Sequence, residues 1–276
     1  MELVTMKKRM IFDIAWYILI AVVILPFLFP LFWILSSSFK TQSQIIASPP
    51  IWVFKPTFSN YVNVFHDQNF GLFLMNSSIV AVGATMFSLG IGLPAAYAIS
   101  RYKMHKLGTF TLIARMMPGI CYLIPWYILF SKLHLVDTYI ALIASHMLVV
   151  LPLIIWIMIS YFDSVPKELE QSAIVDGCTL QGAFLRIILP VSTPGIVTAT
   201  TLSFLWSWNH FLFALVLSSK NTKTLPIAVY NFISYAEVNW GGVMAAAVVI
   251  IMPAIVLTMI FQRYVMQGLT MGAVKG

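Results

Sequence analysis

Residues 164–190 read SVPKELEQSAIVDGCTLQGAFLRIILP, a polar segment with an Asp-Gly turn in its middle and long apolar runs on either side. Ser164 and Pro166 are residue types that open helices. A serine hydroxyl caps a free backbone N–H, and proline lacks the N–H that a first turn leaves unbonded. Glu168 and Glu170 then fall where the helix dipole favours negative charge. Leu169, Ala173 and Asp176 follow along one side. Gly177 stops the helix, since glycine takes the left-handed conformation of a helix C-terminus without strain. Thr179 is placed to cap a second short helix carrying Leu180, Phe184, Leu185 and Ile188, which Pro190 is expected to end. Neither helix exceeds three turns, whereas a membrane span needs about 20 apolar residues. The pair is therefore expected to project from a bilayer as a stiff hairpin, either as a plain connection or as an element gripped by a partner.

The flanks of this hairpin set the class. Of 276 residues, 60% are hydrophobic and 9% charged, and the mean hydropathy is +0.92. A soluble domain carries about 25% charged residues, so lipid must be the solvent. Apolar runs at about 11–36, 72–100, 109–131, 138–162, 195–218 and 242–262 give six spans of helical length. Outer-membrane strands would be about 10 residues of alternating polarity. The fold class is thus an all-α integral membrane protein with six transmembrane helices.

Lysine and arginine orient it, because they favour the cytoplasmic side. With both termini on one side, that side holds Lys7, Lys8, Arg9, Arg101, Lys103, Lys106, Lys167, Arg186, Arg263 and Lys275. The other holds Lys40, Lys55, Lys132, Lys220 and Lys223, and Arg115 inside a span completes the 16. Both termini and the hairpin are expected in the cytoplasm, and the net charge of +7 reads as a topology signal with no nucleic-acid partner implied. The first apolar run is too long for a signal peptide and lacks a small-residue cleavage site, so it reads as an uncleaved helix. Cys121 in a span and Cys178 in the hairpin make a disulfide implausible.

Several activities are excluded by what the chain lacks. None of its 14 glycines precedes a lysine, so there is no phosphate-cradling loop, and no zinc H-E-x-x-H or G-x-S-x-G nucleophile turn occurs. The two halves do not match each other, unlike an internally duplicated transporter. The chain is read as no enzyme and as holding no metal or cofactor, with energy supplied by a partner or an ion gradient.

The stretch ELEQSAIVDGCTLQGAFLRIILP resembles the coupling-loop signature of bacterial ABC importer permeases, E-A-A-x-x-D-G, about nine residues, then I-x-L-P. Asp176, Gly177, Ile187, Leu189 and Pro190 fall in its register, while Gln171-Ser172-Ala173 replaces Glu-Ala-Ala. The exchange loses a charge at Gln171, for which Glu170 next door is a partial substitute. NSSIVAVGATMFSLGIGLPAAYAISRY (76–102), RMMPGICYLIPWY (115–127) and QRYVMQGLTMGAVKG (262–276) extend the likeness from about residue 10 to the end. Together they resemble the six-span, maltose-permease-like subunits of carbohydrate uptake. That resemblance implies a type I ABC importer permease fold in an inner membrane. It divides the chain into 1–70, a first helix and external loop; 71–262, a five-helix core carrying the hairpin; and 263–276, a tail that touches the ATPase pair. It also implies a second homologous permease subunit, two ATPase subunits that bind ATP and Mg, and an extracytoplasmic sugar-binding protein. The hairpin is then the ATPase-coupling element, through Glu170, Gln171, Ser172, Ala173, Asp176 and Gly177, and the loop at 219–241 reaches toward the binding protein.

Polar residues at membrane depth are costly and mark candidates. Arg115 either snorkels toward the cytoplasm, lines the lower path or forms an interhelical pair. His146 reads as an interhelical hydrogen-bonding histidine. In FLWSWNHFLF, Trp206 and His210 lie four residues apart on nearly one face, suiting them to a sugar path by stacking and hydrogen bonding. Asn209 points elsewhere and is expected to tie this span to a neighbour; an interfacial aromatic belt is the plainer reading of the whole stretch. In the family the position of His210 is often acidic. Pro94, Pro118, Pro125, Pro152 and Pro253 fit spans that bend. The tail 264–276, with Gly268, Gly272 and Gly276, reads as small and flexible. A self-sufficient ion-coupled secondary transporter, with Arg115 and His146 as relay, remains the alternative, although the spans hold almost no carboxylate beyond Asp13. A membrane scaffold is a third.

Overall fold

The computed structural model describes residues 2–233 and 238–271, and every regular element among them is helical. In chain order the principal helices are α1 (Glu2–Ser38), α2 (Phe70–Arg101), α3 (His105–Met116), α4 (Ile120–Lys132) and α5 (Tyr139–Ser164). After them come α6 (Lys167–Val175), α7 (Leu180–Val191), α8 (Thr193–Asn209), α9 (Leu212–Leu217) and α10 (Trp240–Met271). Four segments are long and apolar enough to cross a bilayer unbroken: Phe12–Ser38, Phe70–Arg101, Tyr139–Ser164 and Trp240–Tyr264. Counting each of two bent pairs as one span, α3 with α4 and α7 with α8, gives up to six.

Those bent pairs correct the sequence reading. The run at 109–131 is not one helix but two, turned 91° from each other. Pro118 is the cause, since its ring pushes Met117 into extended backbone (ψ 126°) and so interrupts the helix. Pro94, Pro125, Pro152 and Pro253 lie inside continuous helices. The run at 195–218 likewise splits, because α8 ends at Asn209 and α9 begins at Leu212. Pro190 does not end its helix either. The wide π-turn of Phe184–Ile188 precedes it, and the chain stays helical to Val191. A turn with i→i+5 bonds relieves the clash that proline makes with the carbonyl four residues back.

The chain divides into two compact units, Met1–Asn69 with Val229–Ile251 and Phe70–Ala228 with Met252–Gly276. In the second, α2 packs along α5 and α8 lies against both. Ala96 and Tyr97 of α2, Ile154, Met158 and Phe162 of α5, and Ala199 of α8 form its core. Between helices in lipid, close approach and hydrogen bonding replace hydrophobic drive. Gly195 shows the closeness: a Cβ there would run into the ring of Tyr161. Asn76 supplies hydrogen bonding, giving Nδ2 to the carbonyls of Asn221 (3.0 Å) and Lys223 (2.9 Å) and accepting from Tyr139 Oη at 2.7 Å.

In the first unit the chain after α1 folds on itself through short helices at Gln42–Ile45 and Ser59–Val62 and a π-turn at Asn63–Asp67. Lys40 is only 2% exposed. Its ammonium sits 5.0 Å from the Trp33 ring and 4.9 Å from the Phe54 ring, a cation–π cage that offsets its removal from water. Helix α10 continues to Met271, so 264–271 is helical where a flexible tail was expected. A single Gly268 costs about 1 kcal/mol in a helix, too little to stop a long one. Gly272 and Gly276 lie outside the described residues.

Candidate functional site

The hairpin is built by its own sequence, and its start differs from expectation. Ser164 does not cap α6; its hydroxyl donates to Tyr161 O at 2.6 Å and closes α5. Pro166 holds Val165 extended (ψ 124°), so the chain restarts as a helix only after the proline, which itself occupies the cap position. Glu168 and Glu170 stand in the first turn of α6. At the other end, Gly177 N–H bonds Ile174 O (3.0 Å) and Cys178 N–H bonds Ala173 O (2.9 Å). These are the paired bonds of a Schellman stop, and Gly177 takes the required left-handed conformation at φ +91°. Thr179 Oγ1 then accepts from Gly182 N at 3.1 Å to start α7.

What fixes the hairpin to the rest of the unit is Arg101, which sequence reading used only as a topology charge. Its Nε lies 2.8 Å from Glu170 Oε2, with side chains 7% and 13% exposed. The guanidinium also reaches Phe162 O and Val165 O, both at 3.4 Å, and lies 5.8 Å from the centre of the Tyr97 ring. Phe184 of α7 packs against that ring at 4.6 Å, tilted by 38°, so both helices of the hairpin seat on the end of α2. Glu170 is thus engaged inside its own chain, while Gln171, Ser172 and Asp176 are exposed and Ala173 is buried. The tip carries an apolar crown of Ile174, Leu180 and Val175, the last 85% exposed. The signal for it was present as two aliphatic residues placed directly before Asp-Gly.

Beside the hairpin root lies a cleft of about 530 Å³ lined by Arg101, Lys103, Asp163, Lys167 and Trp156 among others. Arg115 is exposed and stacks on Trp156 at 4.8 Å. Trp156 stands ten residues beyond His146 on α5, about 15 Å along the axis. The geometry therefore places Arg115 with the hairpin root and apart from the other path candidates.

Those candidates do meet. Trp206 and His210 pack ring to ring at 4.3 Å, with Phe213 stacked on His210 at 4.6 Å. His146 is buried, lies 5.0 Å from His210, and joins α5 to α8 through Nδ1 and Ser207 Oγ at 2.6 Å. His210 itself is off the helix, the first residue past α8 with ψ 126°. Among the described residues, Asn209 does not bridge to a neighbouring helix. It is exposed and donates Nδ2 to Leu205 O at 2.8 Å on its own helix. The arrangement offers half-buried ring faces, which cover apolar C–H surfaces, beside imidazole nitrogens, which bond hydroxyls.

One polar device was not read from sequence at all. Asp137, between α4 and α5, accepts hydrogen bonds from Ser219 N (2.8 Å), Asn221 N (3.1 Å), Thr222 N (3.0 Å) and Thr222 Oγ1 (2.8 Å). Burial pushes its carboxyl up, but the bonds from Ser219, Asn221 and Thr222 outweigh that and hold it below its ordinary value. The loop after α9 is clamped by a carboxylate. Asn76, quoted above only for family likeness, grips the same loop.

With this geometry in place, comparison with known proteins is informative. Residues 88–271 match the family model described as binding-protein-dependent transport system inner membrane component. The chain is 35% identical over 265 residues, 94% of its length and 93% of the relative's, to the sulfoquinovosyl glycerol transport system permease protein SmoH of Agrobacterium fabrum. It is also 35% identical over 256 residues, 90% of this chain and 92% of the relative, to the trehalose/maltose transport system permease protein MalG of Thermococcus litoralis. Its fold matches a chain of a bacterial ABC transporter involved in import of the acidic polysaccharide alginate, with TM-score 0.76 and 22% identity over 93% of this chain and 97% of that one.

Proposed function

This chain belongs to the binding-protein-dependent transport system inner membrane components, a multi-pass membrane family, and we propose that it is the permease subunit of an ATP-driven sugar importer. In this reading it forms half of the translocation path, the other half coming from a second homologous permease. Two ATPase subunits bind ATP and Mg on the cytoplasmic side, where the excess of Lys and Arg puts the hairpin and both termini. A binding protein delivers the sugar from outside. The chain itself hydrolyses nothing.

The observation that carries the proposal is the hairpin: a firmly stopped, exposed apolar crown on a buried ionic root. Val175 and its neighbours suit a cleft on a partner, through Gln171, Ser172, Asp176 and Gly177 around them. Closure of the ATPase pair on ATP would push that crown. The Schellman stop keeps α6 from unwinding under the push. Arg101 passes the motion to α2, Val165–Pro166 to α5, and the single-residue junction between Val191 and Thr193 to α8. The spans then shift around the Trp206–His210 stack, which we assign to the sugar path. Trehalose and maltose, named for a relative, are the first substrates to try.

The test is a photo-crosslinking residue at position 175 in the assembled complex. The proposal expects a crosslink to an ATPase subunit that changes in yield between the nucleotide-free and ATP-bound states. Crosslinking to the partner permease alone, in both states, would remove the hairpin from this role.

A further inference from the structure

The first unit holds a cavity of about 480 Å³ whose lining is unusual in its chemistry: Gln42, Asn60, Asn63, Gln68, Asn231 and Asn239, with the ring of Phe232. Six of the seven described lining residues are carboxamides. The volume lies within the range of small-molecule sites, about 300–1,000 Å³. The residues come from two distant parts of the sequence, and hydrogen bonds hold them together. Gln42 clips the far segment with both ends of its amide, Nε2 to Val238 O at 2.7 Å and Oε1 from Trp240 N at 3.0 Å. Asn60 gives Nδ2 to Ser38 O and Lys40 O, both at 2.8 Å, and packs so tightly on Gly241 that a Cβ there would overlap its amide. Asn239 Oδ1 caps the start of α10 by accepting from Gly242 N at 2.9 Å.

Part of the set is thus scaffold, and part is free. The side chains of Asn63 and Gln68 make no hydrogen bond among the described residues, and Asn239 keeps its Nδ2 group unused there. A carboxamide both donates and accepts, as a sugar hydroxyl does. A wall rich in carboxamides therefore matches the hydroxyls of a polyhydroxylated ligand. The ammonium of Lys40, whose carbonyl Asn60 bonds, is turned into the Trp33 and Phe54 rings.

We infer that this amide-lined cavity is a sugar-handling subsite outside the membrane, taking the hydroxyls of a saccharide through Asn63, Gln68 and Asn239 as it leaves the binding protein. The inference rests on the sugar-importer reading and adds a second place where the chain meets its cargo.

The experiment uses the full complex in proteoliposomes, with its binding protein loaded with trehalose or maltose, and an Asn63→Ala/Gln68→Ala double variant at matched subunit content. Maximal uptake should fall about fivefold for each hydrogen bond lost, with the half-saturating concentration of binding protein unchanged. Should the alanine pair fail to assemble, Asn63→Asp with Gln68→Glu keeps the shapes, removes both donors, and should give the same fall. A rise in the half-saturating concentration with maximal uptake intact overturns the inference, since the cavity would then receive a side chain of the binding protein. Unchanged uptake overturns it also. A wild-type complex that carries neither sugar nor any other saccharide refutes the importer reading itself, which separates the two failures.

Discussion

Replacing Arg101 with methionine tests whether the hairpin acts as a lever. The side chain keeps an unbranched apolar stem and loses the guanidinium with its charge, leaving Glu170 mostly buried at 13% exposure without that counter-ion. Breaking one partner of a buried pair costs about 3–5 kcal/mol, most of it the uncompensated charge. Because both carbonyl contacts and the Tyr97 stack depend on the same guanidinium, the cost falls on the seat of α6 rather than on the spans. A local loss of about 3 kcal/mol raises the open population on the order of 10²-fold. Amide hydrogens of α6 should therefore exchange on the order of 10²-fold faster, while those of α2 and α5 near His146 stay as they were. Uptake should drop, and ATP hydrolysis should lose its stimulation by loaded binding protein. Adding Glu170→Gln should recover much of the protection by removing the stranded charge, without restoring coupling fully. Full stimulation together with unchanged exchange in 167–175 for Arg101→Met would refute the reasoning, leaving Arg101 a topology charge that happens to sit beside a glutamate.

Gly177→Val, at φ +91° with nothing within 4 Å of a new Cβ, should cost roughly 1–2 kcal/mol from conformation alone and lower substrate-stimulated ATP hydrolysis while insertion stays normal; Gly177→Asn, which tolerates this conformation better, should be milder. His210→Ala is expected to change uptake rate or sugar preference, measured against several sugars, whereas Asn209→Ala should leave preference intact because its amide is bonded to Leu205 O of its own helix. The purified chain without partners should show no stoichiometric nucleotide binding by calorimetry. For Asp137, whose folded-state value lies below the ordinary 3.8, the stabilisation is present above the unfolded value and disappears as pH falls through the lower folded one. A spin label at Lys220→Cys, in a background without other cysteines, should stay immobile from pH 7 to about 4 and loosen only below it; Asp137→Asn should abolish that pH dependence.

Much of this molecule was legible because its signals are local. Apolar run length, the Asp-Gly turn, and Thr179 before a short amphipathic stretch each act within a few residues of where they are read. The Trp206–His210 contact followed from helical spacing alone. The misreadings came where two local rules compete. Ser164 is a good cap residue, but Pro166 two residues on fixes Val165 as extended and moves the helix start. Pro190 is a helix breaker, but the preceding π-turn makes room for its ring. Pro118 breaks a span that Pro94, Pro125, Pro152 and Pro253 leave whole, and proline content alone does not distinguish them. The features missed altogether are partnerships across long sequence distance. Arg101 with Glu170, and Asp137 with Ser219 and Thr222, leave no periodicity behind; His146 reads as interhelical from sequence, but its partner Ser207 is set only by the packing of α5 against α8.

The right-angled break at Met117–Gly119 has a further consequence for where water goes. A helix that stops leaves the carbonyls of its last turn without intrahelical donors. Tyr122 supplies its hydroxyl to Ala114 O at 3.2 Å, which serves one of them. Hydrocarbon tails supply no donors for the rest, so irregular backbone persists at membrane depth only against protein or along a hydrated crevice. Met116 and Ile120 on either side of the bend are well exposed in this chain. The elbow is thus an address for wetting: solvent that enters the assembled complex should find bare carbonyls here, and a hydrated thread reaching Arg115 would let its charge stay in place without crossing lipid.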